Sequence, residues 1–223
     1  MTHLLHRSVA DVDESELVKT LMAHVHWRER TISLHGIPDG AEPYLKVLLK
    51  GLPNDPRGDI DILLVAPSLA WQAVAMEVKR IKVHGGTFQT EMPNKLKELA
   101  KGAEQAKLLA DIGFSQVYYL VCVVVDSRAN NNGRNTFEGL TPVLNAKIDN
   151  AIASIELDRR VGLVHCEFVQ PMDHQPFTTG TSHTHLVRPA LRAVQPEAVS
   201  DWVEGVVSTS SSAPISRLYT AHF

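Results

Sequence analysis

Three charged residues fall inside apolar stretches where a folded chain rarely leaves a charge. Asp61 heads the run DILLV, and Glu77 and Lys79 interrupt AVAMEVKRIKV. A charge on a buried strand is costly unless it is paired or bound to a metal. Consecutive strands are often neighbours in a sheet. If these two segments pair, two carboxylates and an amine converge on one face. Two carboxylates and a backbone carbonyl are hard oxygen donors of the kind that hold Mg²⁺. Such an ion polarises a phosphate, stabilises a leaving oxygen and lowers the pKa of a bound water. A lysine beside it orients or deprotonates that water, and desolvation and the cation are expected to push the lysine pKa down. Such a geometry suits phosphodiester hydrolysis. The competing reading of the same residues is a salt bridge across two strands.

The elements that must position these residues follow from periodicity and punctuation. A helix is expected over Asp13 to Arg28, with Asp13 as its cap and Glu16 three residues on. Val18, Leu21, Met22 and Val25 mark its inward stripe, which Glu14 shares. Arg30 to Ile37 reads as extended, and Tyr44 to Leu52 as a strand or a short helix. After the turn-rich Pro53 to Gly58, Asp59 to Ala66 reads as a strand. Strict alternation there puts Asp59 and Asp61 on one face and Ile60 and Ile62 on the other. Trp71 to Val83 is the next strand, with Glu77 and Lys79 on one face and Met76 and Val78 on the other.

A helix from Asn94 to Ile112 follows, with a stripe of Leu96, Leu99, Ala103, Ala106 and Ala110, and Gly113 as its stop. Gln116 to Asp126 is apolar enough to be a central strand. Ser127 to Gly139 reads as a polar loop, and Leu144, Ile148, Ala151, Ile152 and Ile155 mark a third helix. Val161 to Val169 is a strand, Pro171 to Pro189 is loop-rich, and Pro196 to Val207 is a short helix. The whole is an α/β protein, a mixed β-sheet flanked by helices.

GDIDILLV followed by AMEVKRIKV resembles the PD-(D/E)xK, or restriction-endonuclease-like, nuclease superfamily. Its pattern is an aspartate at the start of one strand and E-x-K on the next. The resemblance runs from about Asp13 to Asp126 and implies an αβββαβ core. It implies Asp61 and Glu77 as ligands of Mg²⁺ or Mn²⁺ and Lys79 as the catalytic lysine, with Asp59 as the alternative register for the aspartate. Members often add a glutamate from the first helix, which here is Glu14, whose helical phase points inward. Some carry a glutamine on the helix after E-x-K. Gln105 matches by position, although its phase lies beside Lys101 and away from the apolar stripe. The resemblance implies DNA as substrate, with RNA left open, in defence, repair or mobile-element processing, as a homodimer or within a larger complex. Arg80 and Lys82 on the motif strand, and Lys95, Lys97 and Lys101 on the following helix, would form a local positive rim for a phosphate backbone. Lys97 and Lys101 are four apart and share a helical face. The corresponding division of the chain is a nuclease-like core over 1–170, an extension of the same domain over 171–207 and a flexible tail over 208–223.

Composition bounds these readings. The chain of 223 residues is 44% hydrophobic and 21% charged, which suits one well-cored globular domain. Its net charge of -3 means that any nucleic-acid contact rests on a local patch and not on the global field. No stretch reaches the length of a membrane span, and a cytoplasmic setting is expected. Cys122 and Cys166 sit in apolar runs and read as buried strand thiols. His165, Cys166, His174, His183 and His185 invite a zinc reading, but no second cysteine pair or HExxH helix supports it. Two other function classes remain beside the nuclease. One is a noncatalytic nucleic-acid- or protein-binding module with the same fold, motivated by the acidic balance and the unmatched C-terminal third. The other is a metal-dependent hydrolase of another substrate.

Overall fold

The computed structural model describes residues 12–23, 28–29, 37–54, 56–84, 98–126, 142–170 and 181–209. Helix α1 spans Glu14–Ala23. Asp13 caps it, its Oδ1 accepting the Glu16 N–H at 2.7 Å. Residues 30–36, where an extended segment is expected, lie outside the described residues. Strand β1 is Glu42–Leu48, so the ambiguous segment is a strand, and β2 is Asp59–Val65.

The expected strand from Trp71 begins later. Ala70–Gln72 is a 3₁₀ turn and β3 is Val74–His84. The chain uses Ala66 to Gln72 to reverse direction: Leu69 N–H donates to Ala66 O and Gln72 N–H to Leu69 O. Trp71 is therefore exposed at the turn. Helix α2 is Leu99–Ile112, and Gly113, at φ 102°, closes it with its N–H on Leu109 O. The buried face of α2 is Leu99, Gly102, Ala103, Ala106 and Leu109, while Ala110 is only half-buried. Leu96 lies outside the described residues.

Strand β4 is Gln116–Asp126, helix α3 is Pro142–Ala153 and strand β5 is Gly162–Gln170. Thr181–Arg188 then forms β6, within a stretch expected to be loop. It is an edge strand, and its apolar content is low because backbone pairing with β5 and one buried side suffice. Leu186 packs on the core while His183, His185 and Val187 are exposed. Helix α4 is Glu197–Thr209. Ser208 and Thr209, expected to begin a tail, complete its last turn, with both hydroxyls donating to Gly205 O.

The six strands lie in chain order, β1-β2-β3-β4-β5-β6. The β1/β2, β2/β3 and β5/β6 pairs are antiparallel, and β3/β4 and β4/β5 are parallel. The protein is thus α/β with a mixed sheet flanked by helices. β4 is central and buried along its described length, as its composition predicts. Each face of the sheet carries its own core. Ile81, Tyr119, Val121 and Val123 pack with Leu99 and Ala106 of α2, Ile148 of α3 and Val203 of α4. Met76, Val78, Leu120 and Val124 pack with Leu17, Val18 and Met22 of α1.

The segment beyond β6 belongs to the same core. Gln195 donates from Nε2 to Ala70 O at 2.7 Å and accepts the Ser115 N–H at 3.2 Å. Trp202 donates to Lys50 O at 3.0 Å and meets Phe114 edge-on.

Candidate metal centre

The site forms where β2 parts from β3. Their ladder runs from Leu64↔Val74 to Ile62↔Met76, so Asp61 and Glu77 stand one step beyond its last pair. Freed from pairing, the Val78 N–H donates to Asp61 Oδ2 at 2.6 Å. On the other side of β2, Lys46 lies between the pairs Leu45↔Ile62 and Val47↔Ile60. Its backbone is left-handed, at φ 51°, which is uncommon for a residue with a side chain.

Beside that residue, the alternation on β2 is reset. Ile60 packs in the core under α2 while Ile62 packs in the core under α1. The expectation that Ile60 and Ile62 share a face therefore fails, and the switch occurs at Asp61. The Lys46 ammonium contacts Asp61 Oδ1 and lies 3.5 Å from Asp59 Oδ2.

Glu77 and Lys79 follow the predicted alternation, opposite Met76 and Val78. Lys79 Nζ donates to Glu77 Oε1 at 2.6 Å and lies 3.8 Å from Glu14 Oε1. Glu14 Oε2 accepts the Arg80 N–H at 3.1 Å, which ties α1 to the motif strand. Asp61 and Glu77 are only 3% and 2% exposed. Burial, reinforced by the charge of Asp61 and opposed by Lys79, pushes the Glu77 carboxyl up to about 7. Burial works downward on Lys79, as expected, but the charges of Glu77, Glu14 and Asp61 outweigh it and the ammonium is held above its ordinary value. The expected depression counts a cation's charge as well as desolvation; the side chains by themselves set the balance the other way. Lys46 shows the same balance: burial lowers it, and Asp61, Asp59 and Glu14 raise it further.

Helix α2 crosses this point at Gly102. A Cβ there would lie 2.5 Å from Tyr119 Oη and 2.7 Å from Lys79 Cγ. Tyr119 is in register with Glu77 and donates its hydroxyl to Leu99 O at 3.0 Å. Burial, then the charges of Glu77 and Glu14, keeps its phenol protonated. Gly102→Ala is therefore expected to destabilise the protein by about 1–3 kcal/mol through overpacking, exceeding the helix-propensity gain of up to ~1 kcal/mol. Thermal or denaturant unfolding measures this directly, and an unchanged or raised melting temperature contradicts the packing described.

The remaining predicted residues separate. Asp59 is half-buried and paired with Lys46. Gln105 is half-buried, and its amide oxygen is shielded from solvent with no hydrogen-bond partner among the described residues. Arg80 is buried at 6% exposure, and Lys82 is half-buried. Strand alternation puts both on the face opposite Lys79. Lys101 is exposed on α2, which covers the Lys79 face, while Lys95 and Lys97 lie outside the described residues. The described cations Arg80, Lys82 and Lys101 do not form one rim, because the sheet lies between them.

Cys122 and Cys166 face each other in register on β4 and β5, both buried and neither in a disulfide. His165 pairs in register with His185, and Glu167 with His183, while His174 lies outside the described residues. Lys46, Gly102 and Tyr119 are site residues that sequence reading missed. Lys46 carried the same signal as Glu77, a charge inside an apolar run (YLKVLL).

The donor set around Asp61 is chemically suited to a hard divalent cation, since it consists of carboxylate oxygens. Four carboxylates, Glu14, Asp59, Asp61 and Glu77, surround two ammonium groups, Lys46 and Lys79, leaving a formal charge of -2 on these six side chains. Among the described residues, no three His, Cys, Asp or Glu side chains are already arranged as a ligand set. At Asp61 and Glu77 the lysine ammonium groups engage oxygens that a cation would use. Among the described residues, no helix is long and apolar enough to cross a membrane. The chain matches no known family and no curated protein.

Proposed function

We propose that this chain is a Mg²⁺- or Mn²⁺-dependent nuclease that hydrolyses DNA phosphodiesters, with Asp61, Glu77 and Lys79 as its working residues on a restriction-endonuclease-like core. One observation carries the reading. Two buried carboxylates stand together at the point where two strands part, with a lysine hydrogen-bonded to one of them. The chain order α1-β1-β2-β3-α2-β4 around that point supports it.

Asp61 and Glu77 would hold the cation, with Glu14 alongside and Val78 N–H fixing the Asp61 carboxylate. A cation bound there supplies Lewis-acid activation of the phosphate and the attacking water. In the hydrolysis, the water oxygen bonds to phosphorus as the bond to the leaving oxygen breaks, and the proton that the water gives up ends, by way of solvent, on that leaving oxygen. Lys79 Nζ, protonated in this arrangement, donates to a non-bridging phosphate oxygen and steadies the charge that accumulates there. It becomes a base only once the neighbouring carboxylate charge is neutralised.

The test joins binding to cleavage. At 100 times its Kd, Mn²⁺ should stabilise the wild type by about 2.7 kcal/mol, and Asp61→Asn and Glu77→Gln should lose that response together with plasmid or single-strand cutting. No cleavage of any nucleic acid, with Lys79→Ala indistinguishable from wild type, would end the proposal. The second reading is the noncatalytic binding module, and the lysines already neutralising Asp61 and Glu77 favour it. It requires that no divalent cation stabilise the fold through these two carboxylates.

A further inference from the structure

Asp61 has two carboxylate oxygens, and the backbone of β3 occupies one of them through the Val78 N–H. The other is held by Lys46. A cation that binds Asp61 through this second oxygen therefore competes there with an ammonium group of like charge. A displaced ammonium has somewhere to go. Asp59 Oδ2 lies 3.5 Å from Lys46 Nζ, and its side chain is 37% exposed against 4% for Asp61. The two aspartates thus offer Lys46 a buried seat and a solvent-facing one. The backbone supports a dedicated role, because Lys46 keeps a left-handed conformation on a strand, where a residue with a side chain is strained.

We propose that Lys46 is an internal counter-ion that holds Asp61 when no divalent cation is bound and moves to Asp59 when one binds, so that it sets the cation concentration at which the site loads. This rests on reading Asp61 and Glu77 as the metal centre. Lys46 acts here as a positioning residue and takes no part in the chemical step. Its stem remains anchored on β1, and only the ammonium exchanges partners. Asp59 is then the second seat of a mobile charge, and its nearness to Asp61 has a purpose without direct ligation.

The experiment is a Mn²⁺ titration of the full chain, with free Mn²⁺ read by electron paramagnetic resonance. Lys46→Met removes the charge, and Lys46→Gly does so while also permitting the left-handed backbone, which guards against misfolding of the first variant. Both should lower the Mn²⁺ Kd roughly tenfold, the scale of one charge-assisted hydrogen bond no longer in competition. Asp59→Asn should raise the Kd, and by more in the wild type than in the Lys46→Met background. Asp61→Asn should remove binding in every background. An unchanged or weakened Kd in both Lys46 variants, with Asp61→Asn still removing binding, overturns the counter-ion role and leaves the metal centre standing. Absence of Mn²⁺ binding in the wild type and in both Lys46 variants overturns both. Binding that appears only once Lys46 is replaced supports the proposal in its strongest form.

Discussion

Lys79→Met should reduce DNA cleavage by roughly 10²–10³-fold, the range associated with losing one preorganised donor to charge that develops in the transition state. The substitution keeps an unbranched stem under Gly102, where Lys79 Cγ fills the space a side chain on α2 would need. Packing is thereby largely preserved and the ammonium alone is lost. Removing it leaves Glu77 buried without its 2.6 Å partner, so a neutral carboxyl is favoured further and the melting profile shifts toward acid-stabilised behaviour. Metal loading need not fall, because a competing positive charge has also gone. The decisive measurement is the single-turnover rate at saturating Mn²⁺, with a parallel Mn²⁺ titration to show that the site is filled. A rate within about threefold of wild type at full loading would remove Lys79 from the chemistry, since the change would be under 1 kcal/mol in the barrier.

The second large effect concerns pH. The Glu77 carboxyl is raised from 4.5 to about 7 by burial first and by Asp61 second, against the pull of Lys79. The folded protein therefore binds a proton at Glu77 that the unfolded chain has released. Its contribution to stability is present below about pH 4.5 and is lost as pH rises through about 7. The shift corresponds to on the order of 3 kcal/mol across that window. Glu77→Gln cannot titrate, so the difference in unfolding free energy between wild type and variant isolates this group from the histidines, including His165, whose burial shifts it the opposite way. Wild type should lose ground to the variant steadily from pH 4.5 to 7 and level off above. Mn²⁺ should restore much of the loss, because it favours the ionised carboxylate. Parallel stability curves for the two proteins would show that Glu77 is not held up by its surroundings.

Asp61, Glu77 and Lys79 were legible because a charge inside an apolar run is conspicuous in one dimension. Glu14 was legible because helical phase carries a side chain inward wherever the apolar stripe goes. The rest depended on pairing that no local pattern specifies. Lys46 lies in as apolar a run as Glu77, yet its partner follows only from the β1/β2 register and a left-handed backbone. The alternation rule fails on β2 at Asp61, the residue that Lys46 contacts, and Ile60 and Ile62 lie in different cores. Gly102 and Tyr119 became visible only when α2 was laid across β3 and β4, since a glycine's use there is close approach and leaves no apolar signal. Strand β6 escaped because an edge strand can satisfy its backbone on one side with few apolar residues.

The Gln195 amide joins Ala70 O to the Ser115 N–H, a closure that spans 125 residues on one side and 80 on the other. During translation, the turn before β3 and the start of β4 leave the ribosome long before the group that clamps them. On the nuclease reading, the emerging polypeptide therefore keeps the approach to β3 and the start of β4 unclamped until Gln195 arrives. A DNA-cutting centre would then be braced only after Gln195 has been made, and a chain halted short of it would carry the site residues without their clamp.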